Sequence, residues 1–227
     1  MRILLTGSSG FIGASIAKHL TSLGYEVVAM HRQPRPLQLD GVIDIVGNIT
    51  STKYISALCK DLKPCDAIIH AAACLDTDLF EPSISQVNCT GLQNILWLAS
   101  KWASTNFVFL SSIPVIGIPK FLPITEEHPT QPLTAYHASK LFGEHLTKLA
   151  KTSEMQTTIL RLAAPIGSGI PENRVVSTFV RNAFLGRPLQ IFGSGTRKQN
   201  YIDVRDIARA TELSLKPHLD GIFNIGS

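Results

Sequence analysis

The first thirteen residues, Met-Arg-Ile-Leu-Leu-Thr-Gly-Ser-Ser-Gly-Phe-Ile-Gly, restrict this chain more than any other stretch. Ile3, Leu4 and Leu5 are apolar at successive positions, the mark of a parallel strand covered on both faces. Gly7, Gly10 and Gly13 then punctuate a tight turn, and an amphipathic pattern runs from Ala14 to about Leu23. Strand, glycine turn and helix in that order leave backbone N–H groups free at a helix start, where a phosphate is held. The spacing Gly-x-x-Gly-x-x-Gly differs by one residue from the usual Gly-x-Gly-x-x-Gly form. Its setting between a strand and a helix nevertheless reads as a dinucleotide site.

At 227 residues the chain can bury one full α/β core with part of a second domain. The net charge of +4 is mild and lacks the clustered Lys and Arg that nucleic-acid binding needs, while it suits an anionic small ligand. The first strand begins at the second residue, leaving no room for a signal peptide. No apolar run approaches a membrane span, so a cytoplasmic protein is expected. Cys59, Cys65, Cys74 and Cys89 make no Cys-x-x-Cys pair and have no histidines at zinc spacing. They read as free thiols packed as small apolar groups, and no metal site is expected.

Glu26 to Met30 reads as a second strand, whose end meets the adenosine ribose of a dinucleotide. A carboxylate there would bond a free 2′-hydroxyl and repel a 2′-phosphate. His31 and Arg32 stand there instead, followed by Gln33-Pro34-Arg35-Pro36. Arg32 and Arg35 can pair with a phosphate, which favours NADP over NAD, although a solvated loop arginine is the simpler role. Further strands are expected at Val42 to Val46, at Ala67 to Ala73 and at Phe107 to Leu110. Ala71, Ala72 and Ala73 are small enough to lie close against a ligand, and His70 reads as a packed strand-end residue. Helical spacing runs over Lys53 to Leu62 and over Glu81 to Lys101, the latter with Asn88 near its middle. Strands each followed by a helix predict a doubly wound parallel sheet of the Rossmann type, with ligands at the carboxyl ends of its strands.

The strand at Phe107 ends on Ser111-Ser112, and Ile113 to Leu133 reads as a proline-rich loop over the site. A helix then carries Tyr136 and Lys140, four residues apart and so on one face. A phenol near pKa 10 is a poor base, but a cation nearby favours its phenolate and makes Tyr136 a credible acid/base. Ser112 can hydrogen-bond the carbonyl or hydroxyl that Tyr136 serves. Alone, a Tyr-x-x-x-Lys pair is most often a solvated helix face, and its value comes from its company.

Thr6 to Gly13, Ile69 to Ala73, Val87-Asn88-Cys89-Thr90-Gly91 with Asn94, Leu110-Ser111-Ser112 ahead of Gly117, and Tyr136 to Lys140 with Gly143-Glu144 form that company. Leu160-Arg161 and Tyr201 to Ala208 complete it. In this order they resemble the extended short-chain dehydrogenase/reductases, in the NAD(P)-dependent epimerase/dehydratase branch. The resemblance puts Ser112, Tyr136 and Lys140 on the catalytic triad and Asn88 on the asparagine that accompanies it. A one-residue shift would exchange Ser111 for Ser112, and the distance to Gly117 favours Ser112. It also places Gly7, Ser9, Gly10, Phe11, Ile12 and Gly13 on the diphosphate, and His31, Arg32, Asn48, Ile49, Ala71, Ala72, Ala73 and Pro165 along the rest of the cofactor, with Lys140 on the nicotinamide ribose.

Four positions depart from the pattern. His31 stands where NAD-using members carry aspartate, and Asn48 replaces the aspartate that touches adenine. Ala164 stands where many nucleotide-sugar enzymes have asparagine; against this, Arg197 is available for a substrate diphosphate, or is a solvated turn. The chain ends at the strand Gly221 to Ile225, which implies an incomplete substrate-binding lobe. The expected organisation is a Rossmann domain over 1–165, a substrate-side segment over 166–200, and a helix and strand over 201–227 that return to the sheet. The leading expectation is an epimerase acting on a nucleotide sugar. An NADPH-dependent ketone or aldehyde reductase comes second, and a non-catalytic NAD(P)-binding sensor is the alternative of another class. The resemblance also implies a homodimer through apolar faces of the helices carrying Asn88 and Tyr136.

Overall fold

The computed structural model describes residues 1–33, 37, 39–76, 78, 80–196 and 198–226. Arg35 and Arg197, both expected to meet phosphate, lie outside the described residues. In chain order the strands are β1 (Arg2–Thr6), β2 (Glu26–His31), β3 (Val42–Val46), β4 (Ala67–His70), β5 (Asn106–Ser112), β6 (Gln156–Leu162), β7 (Ala164–Ile166), β8 (Tyr201–Asp203) and β9 (Gly221–Ile225). The helices are α1 (Phe11–Ser22), α2 (Thr52–Asp61), α3 (Pro82–Ile84), α4 (Leu92–Trp102), α5 (Ala135–Leu149), α6 (Val175–Phe184) and α7 (Val204–Leu213).

Seven strands form one parallel sheet in the order β3-β2-β1-β4-β5-β6-β9, and β7 pairs with β8 in a separate ribbon. Strand order reverses between β1 and β4, and a crevice at that switch point is where a doubly wound sheet binds ligands. Alternation along each strand feeds two cores. Ile3, Leu5, Val108 and Leu110 pack with Ile16, Leu20 and Ile207 of α1 and α7. Leu4, Ile68, Phe107 and Phe109 pack with Ile55, Leu92, Ile95 and Leu98 of α2 and α4. This double covering is why the strands read as unbroken apolar runs.

The single helix expected over Glu81 to Lys101 is broken. α3 passes through a π-helical turn, Ser85–Gly91, before α4 begins. A Cβ on Gly91 would lie 2.7 Å from Ile49 Cδ1, so the chain presses here against the segment before α2. The wider turn carries Asn88, which is buried. The strand at Ala67 also ends earlier than expected, at His70, leaving Ala71 to Cys74 irregular.

A buried ion pair ties the loop before α5 to the sheet. Arg161 of β6 donates through Nε and Nη2 to the Glu144 carboxylate of α5 at 2.9 and 2.7 Å, and through Nη1 to the Glu126 carbonyl at 3.1 Å. Glu126 Oε1 in turn accepts the Asn224 N–H of β9 at 2.8 Å. Both members of the pair are almost sealed from water, so each carries a desolvation cost that the other offsets, with the Ser111 hydroxyl and the Glu126 carbonyl adding to it.

Candidate active site

The glycine turn is shaped by two close approaches. Gly7 has φ +71°, and a Cβ there would fall 2.6 Å from Ala72 N. A Cβ on Gly13 would fall 2.2 Å from Gly7 O, so only glycine lets α1 start this close to β1. Gly7 N–H donates to Met30 O at 3.0 Å and Gly10 N–H to Gly7 O at 3.0 Å. This bare-backbone cradle at a helix start, flanked by the Ala71 and Ala72 backbone, fits a dinucleotide diphosphate. Gly169 lies across from Phe11, so the segment after β7 reaches over the turn. Pro165 sits half-buried in β7, opposite Ile202.

At the end of β2 the structure amends the sequence expectation. The imidazole of His31 is only 1% exposed and is turned beneath the turn, with Nδ1 3.2 Å from Ser8 Oγ and 3.7 Å from Asp44 Oδ1 of β3. Ser8 supplies a buried partner at a position where the sequence offered no reason to look. Arg32, next in the chain, is exposed at the tip. Asn48 is exposed, and its Oδ1 accepts from Thr50 N and Oγ1 at 3.0 and 2.9 Å, so that oxygen shapes the turn into α2. Ile49 is buried, its carbonyl held by Asn94 Nδ2 at 2.8 Å.

At the carboxyl end of β5, alternation separates the two serines. Ser111 is buried and donates to Glu144 Oε1 at 2.6 Å, which commits it to the ion pair. Ser112 closes the strand in a half-buried position. Thr134 caps α5 by accepting from His137 N–H at 3.2 Å, which starts the helix one residue before Tyr136. A Cβ on Gly143 would lie 2.5 Å from Phe109 Cζ, so α5 packs tightly on β5 and brings Lys140 to the strand end. Lys140 Nζ donates to Leu110 O at 2.7 Å and lies 4.9 Å from the Phe109 ring centre and 5.9 Å from that of Tyr136.

Asn88 works differently from the helix asparagine of a simple reading. Its Oδ1 accepts Cys74 N–H at 2.7 Å, and its Nδ2 donates to Cys74 O at 3.0 Å and Ser139 Oγ at 2.9 Å. Ser139 Oγ then donates to Tyr136 O at 2.7 Å. The amide therefore joins the strand-end segment after β4 to the first turn of α5.

The electrostatics also differ from expectation. Burial pushes the Tyr136 phenol up to about 12, and the cation opposing that rise is Arg174. Lys140 is not among the groups that lower the phenol, its ammonium being turned to Leu110 O. Burial lowers Lys140 to about 8, against an upward pull from Glu144. His70 is lowered to about 3, chiefly by burial and then by Lys140, and its Nδ1 meets Thr6 Oγ1 at 3.0 Å, as befits a packed neutral residue. The four cysteines are free thiols, Cys65 being raised to about 11 mainly by burial. No metal-holding cluster occurs among the described residues.

A family model described as the NAD dependent epimerase/dehydratase family matches residues 3–226. The chain belongs to that family. It is 28% identical to the UDP-glucose 4-epimerase of Lactobacillus helveticus over 257 residues, covering 100% of this chain and 77% of the relative. Among solved structures, the UDP-glucose 4-epimerase of Thermotoga maritima with UDP-glucose superposes with a TM-score of 0.90 at 25% identity, covering 100% of this chain and 77% of that one. The Thermus thermophilus UDP-glucose 4-epimerase complex with NAD gives a TM-score of 0.89 at 26% identity, with 100% and 78% covered.

Within this epimerase/dehydratase fold, the structure brings Tyr136, Lys140, Asn88 and the β5 end together. Two participants escaped the sequence reading. Arg174, the N-cap of α6, is the cation that opposes the rise of the Tyr136 phenol, and no motif spacing links the two. Ser139 lay inside the Tyr136 to Lys140 motif, but its role depends on a partner 51 residues away.

Proposed function

We propose that the chain is an NAD(P)-dependent epimerase/dehydratase-type oxidoreductase acting on a nucleotide sugar, with Tyr136 as the proton-transferring acid/base. The observation that carries the reading is the half-buried Tyr136 beside the buried Lys140 at the carboxyl end of a sheet whose switch point holds the glycine cradle. When bound, the nicotinamide supplies a hydride acceptor and donor. Tyr136 takes the proton of the sugar hydroxyl as the sugar is oxidised and returns it as the sugar is reduced, and because burial holds its pKa up, the oxidising half needs a neighbouring cation to favour the phenolate. Arg174 lowers the cost of the phenolate. Lys140, anchored on Leu110 O, orients the nicotinamide ribose, and Ser112 holds the reacting oxygen. Asn88 and Ser139 fix the turn that carries Tyr136.

The sugar-nucleotide assignment draws support from the relatives that act on UDP-glucose, and the exposed Arg32 favours NADP. The exposed faces of α4 and α5, with Trp97, Phe142 and Leu149 uncovered, support a homodimer. The test is a panel of UDP-, GDP- and dTDP-sugars with either cofactor, read by chromatographic separation of epimers, beside ketones and aldehydes read by NADPH consumption. Conversion of a sugar nucleotide without net cofactor consumption supports the proposal. Consumption with simple carbonyls alone supports the reductase, and turnover of neither class overturns the enzyme reading.

A further inference from the structure

We infer that His31 is a positioning residue for the glycine turn and leaves the choice of dinucleotide to Arg32, an inference that rests on the cofactor-site reading above. A ring sealed from solvent does not reach a ribose 2′ substituent, whatever its place at the end of β2. Its nitrogen instead serves the turn. Ser8 is fully buried, so its hydroxyl needs a partner inside the protein, and His31 Nδ1 at 3.2 Å is that partner.

Ser8 sits where the turn is attached to β2. Gly7 N–H and Ser8 N–H both donate to Met30 O, at 3.0 and 3.4 Å, and the hydroxyl adds a third attachment to the next residue. Asp44 Oδ1 of β3 lies 3.7 Å from the same Nδ1, beyond hydrogen-bond reach, and accepts the Leu37 N–H at 3.4 Å, which leaves Ser8 as the hydrogen-bond partner of that nitrogen. Either partner of the Ser8–His31 contact can donate, and an asparagine amide can replace the ring in either role.

The two candidate cofactors share the diphosphate that the turn holds and differ only at the 2′ position. A brace on the turn therefore affects both equally, whereas a reader of the 2′ group affects one. Dissociation constants for NADH and NADPH are measured with the full chain by calorimetric titration, with thermal unfolding of every variant in parallel. His31→Ala and Ser8→Ala should each weaken both dinucleotides by about tenfold and leave their ratio within about twofold. His31→Asn should restore wild-type affinity. Arg32→Ala should weaken NADPH by about tenfold while sparing NADH.

Ser8→Ala keeps the test available if His31→Ala does not fold. The inference is overturned if His31→Ala or Ser8→Ala shifts the ratio by about fivefold or more, leaves both affinities unchanged, or if His31→Asn gives no recovery. A wild type without NADPH preference removes the Arg32 reading while a uniform loss in His31→Ala upholds the brace. A wild type that binds neither dinucleotide overturns both.

Discussion

Replacing Glu144 by Gln tests how the catalytic helix is joined to the sheet. Glu144 and Arg161 are 1% and 3% exposed, and the carboxylate accepts from Arg161 Nε, Arg161 Nη2 and Ser111 Oγ at 2.9, 2.7 and 2.6 Å. The amide keeps the shape and one acceptor oxygen but removes the charge, leaving the guanidinium buried without a counter-ion. Breaking such a pair on one side costs about 3–5 kcal/mol. In a chain of this size each kcal/mol lowers the melting temperature by about 2–4 °C, so Glu144→Gln should melt roughly 6–20 °C below wild type. Thermal unfolding by circular dichroism and calorimetry measures it. The double variant Glu144→Gln/Arg161→Met removes both charges and should recover at least about half of the loss. A single variant within about 1 kcal/mol of wild type, or a double variant no better than the single, refutes the reasoning.

Tyr136→Phe should lower kcat by about 100-fold to 10,000-fold while leaving dinucleotide affinity unchanged, measured by turnover and titration. Burial holds Lys140 near 8 against its ordinary 10.5, so between those values the unfolded chain binds a proton that the folded chain does not. Folding stability should therefore rise with pH across that window in denaturant melts, and Lys140→Met should flatten the rise. Gly13→Ala, whose Cβ would fall 2.2 Å from a backbone oxygen, should reduce binding of both dinucleotides by at least about tenfold in titrations. Trp97→Glu, on the exposed face of α4, should shift sedimentation from dimer to monomer.

Which parts of this molecule could be read from sequence follows from the range of the forces involved. The strands were legible because burial on both faces makes Ile3 to Leu5 and Phe107 to Leu110 continuous apolar runs. The cradle was legible because close backbone approach demands glycine at 7 and 13. The choice between Ser111 and Ser112 rested on the spacing to Gly117, and the structure adds a physical reason, since Glu144 claims Ser111. What stayed hidden depends on contacts between distant residues. Helical periodicity over 81–101 concealed a π-turn, because apolar spacing survives one inserted residue better than hydrogen-bond register does. Nothing local told that His31 would turn inward to Ser8, nor that burial would raise the Tyr136 phenol while Lys140 turned to Leu110 O.

The most direct measurement loads the chain with oxidised cofactor, mixes it with a UDP-sugar in a stopped-flow spectrometer, and follows reduced-nicotinamide absorbance. Absorbance should rise within a single turnover in wild type and stay flat in Tyr136→Phe, although that variant still binds both ligands. Wild type that binds cofactor and sugar nucleotide without any such rise, or a Tyr136→Phe trace matching wild type, would contradict hydride transfer with Tyr136 as the acid/base.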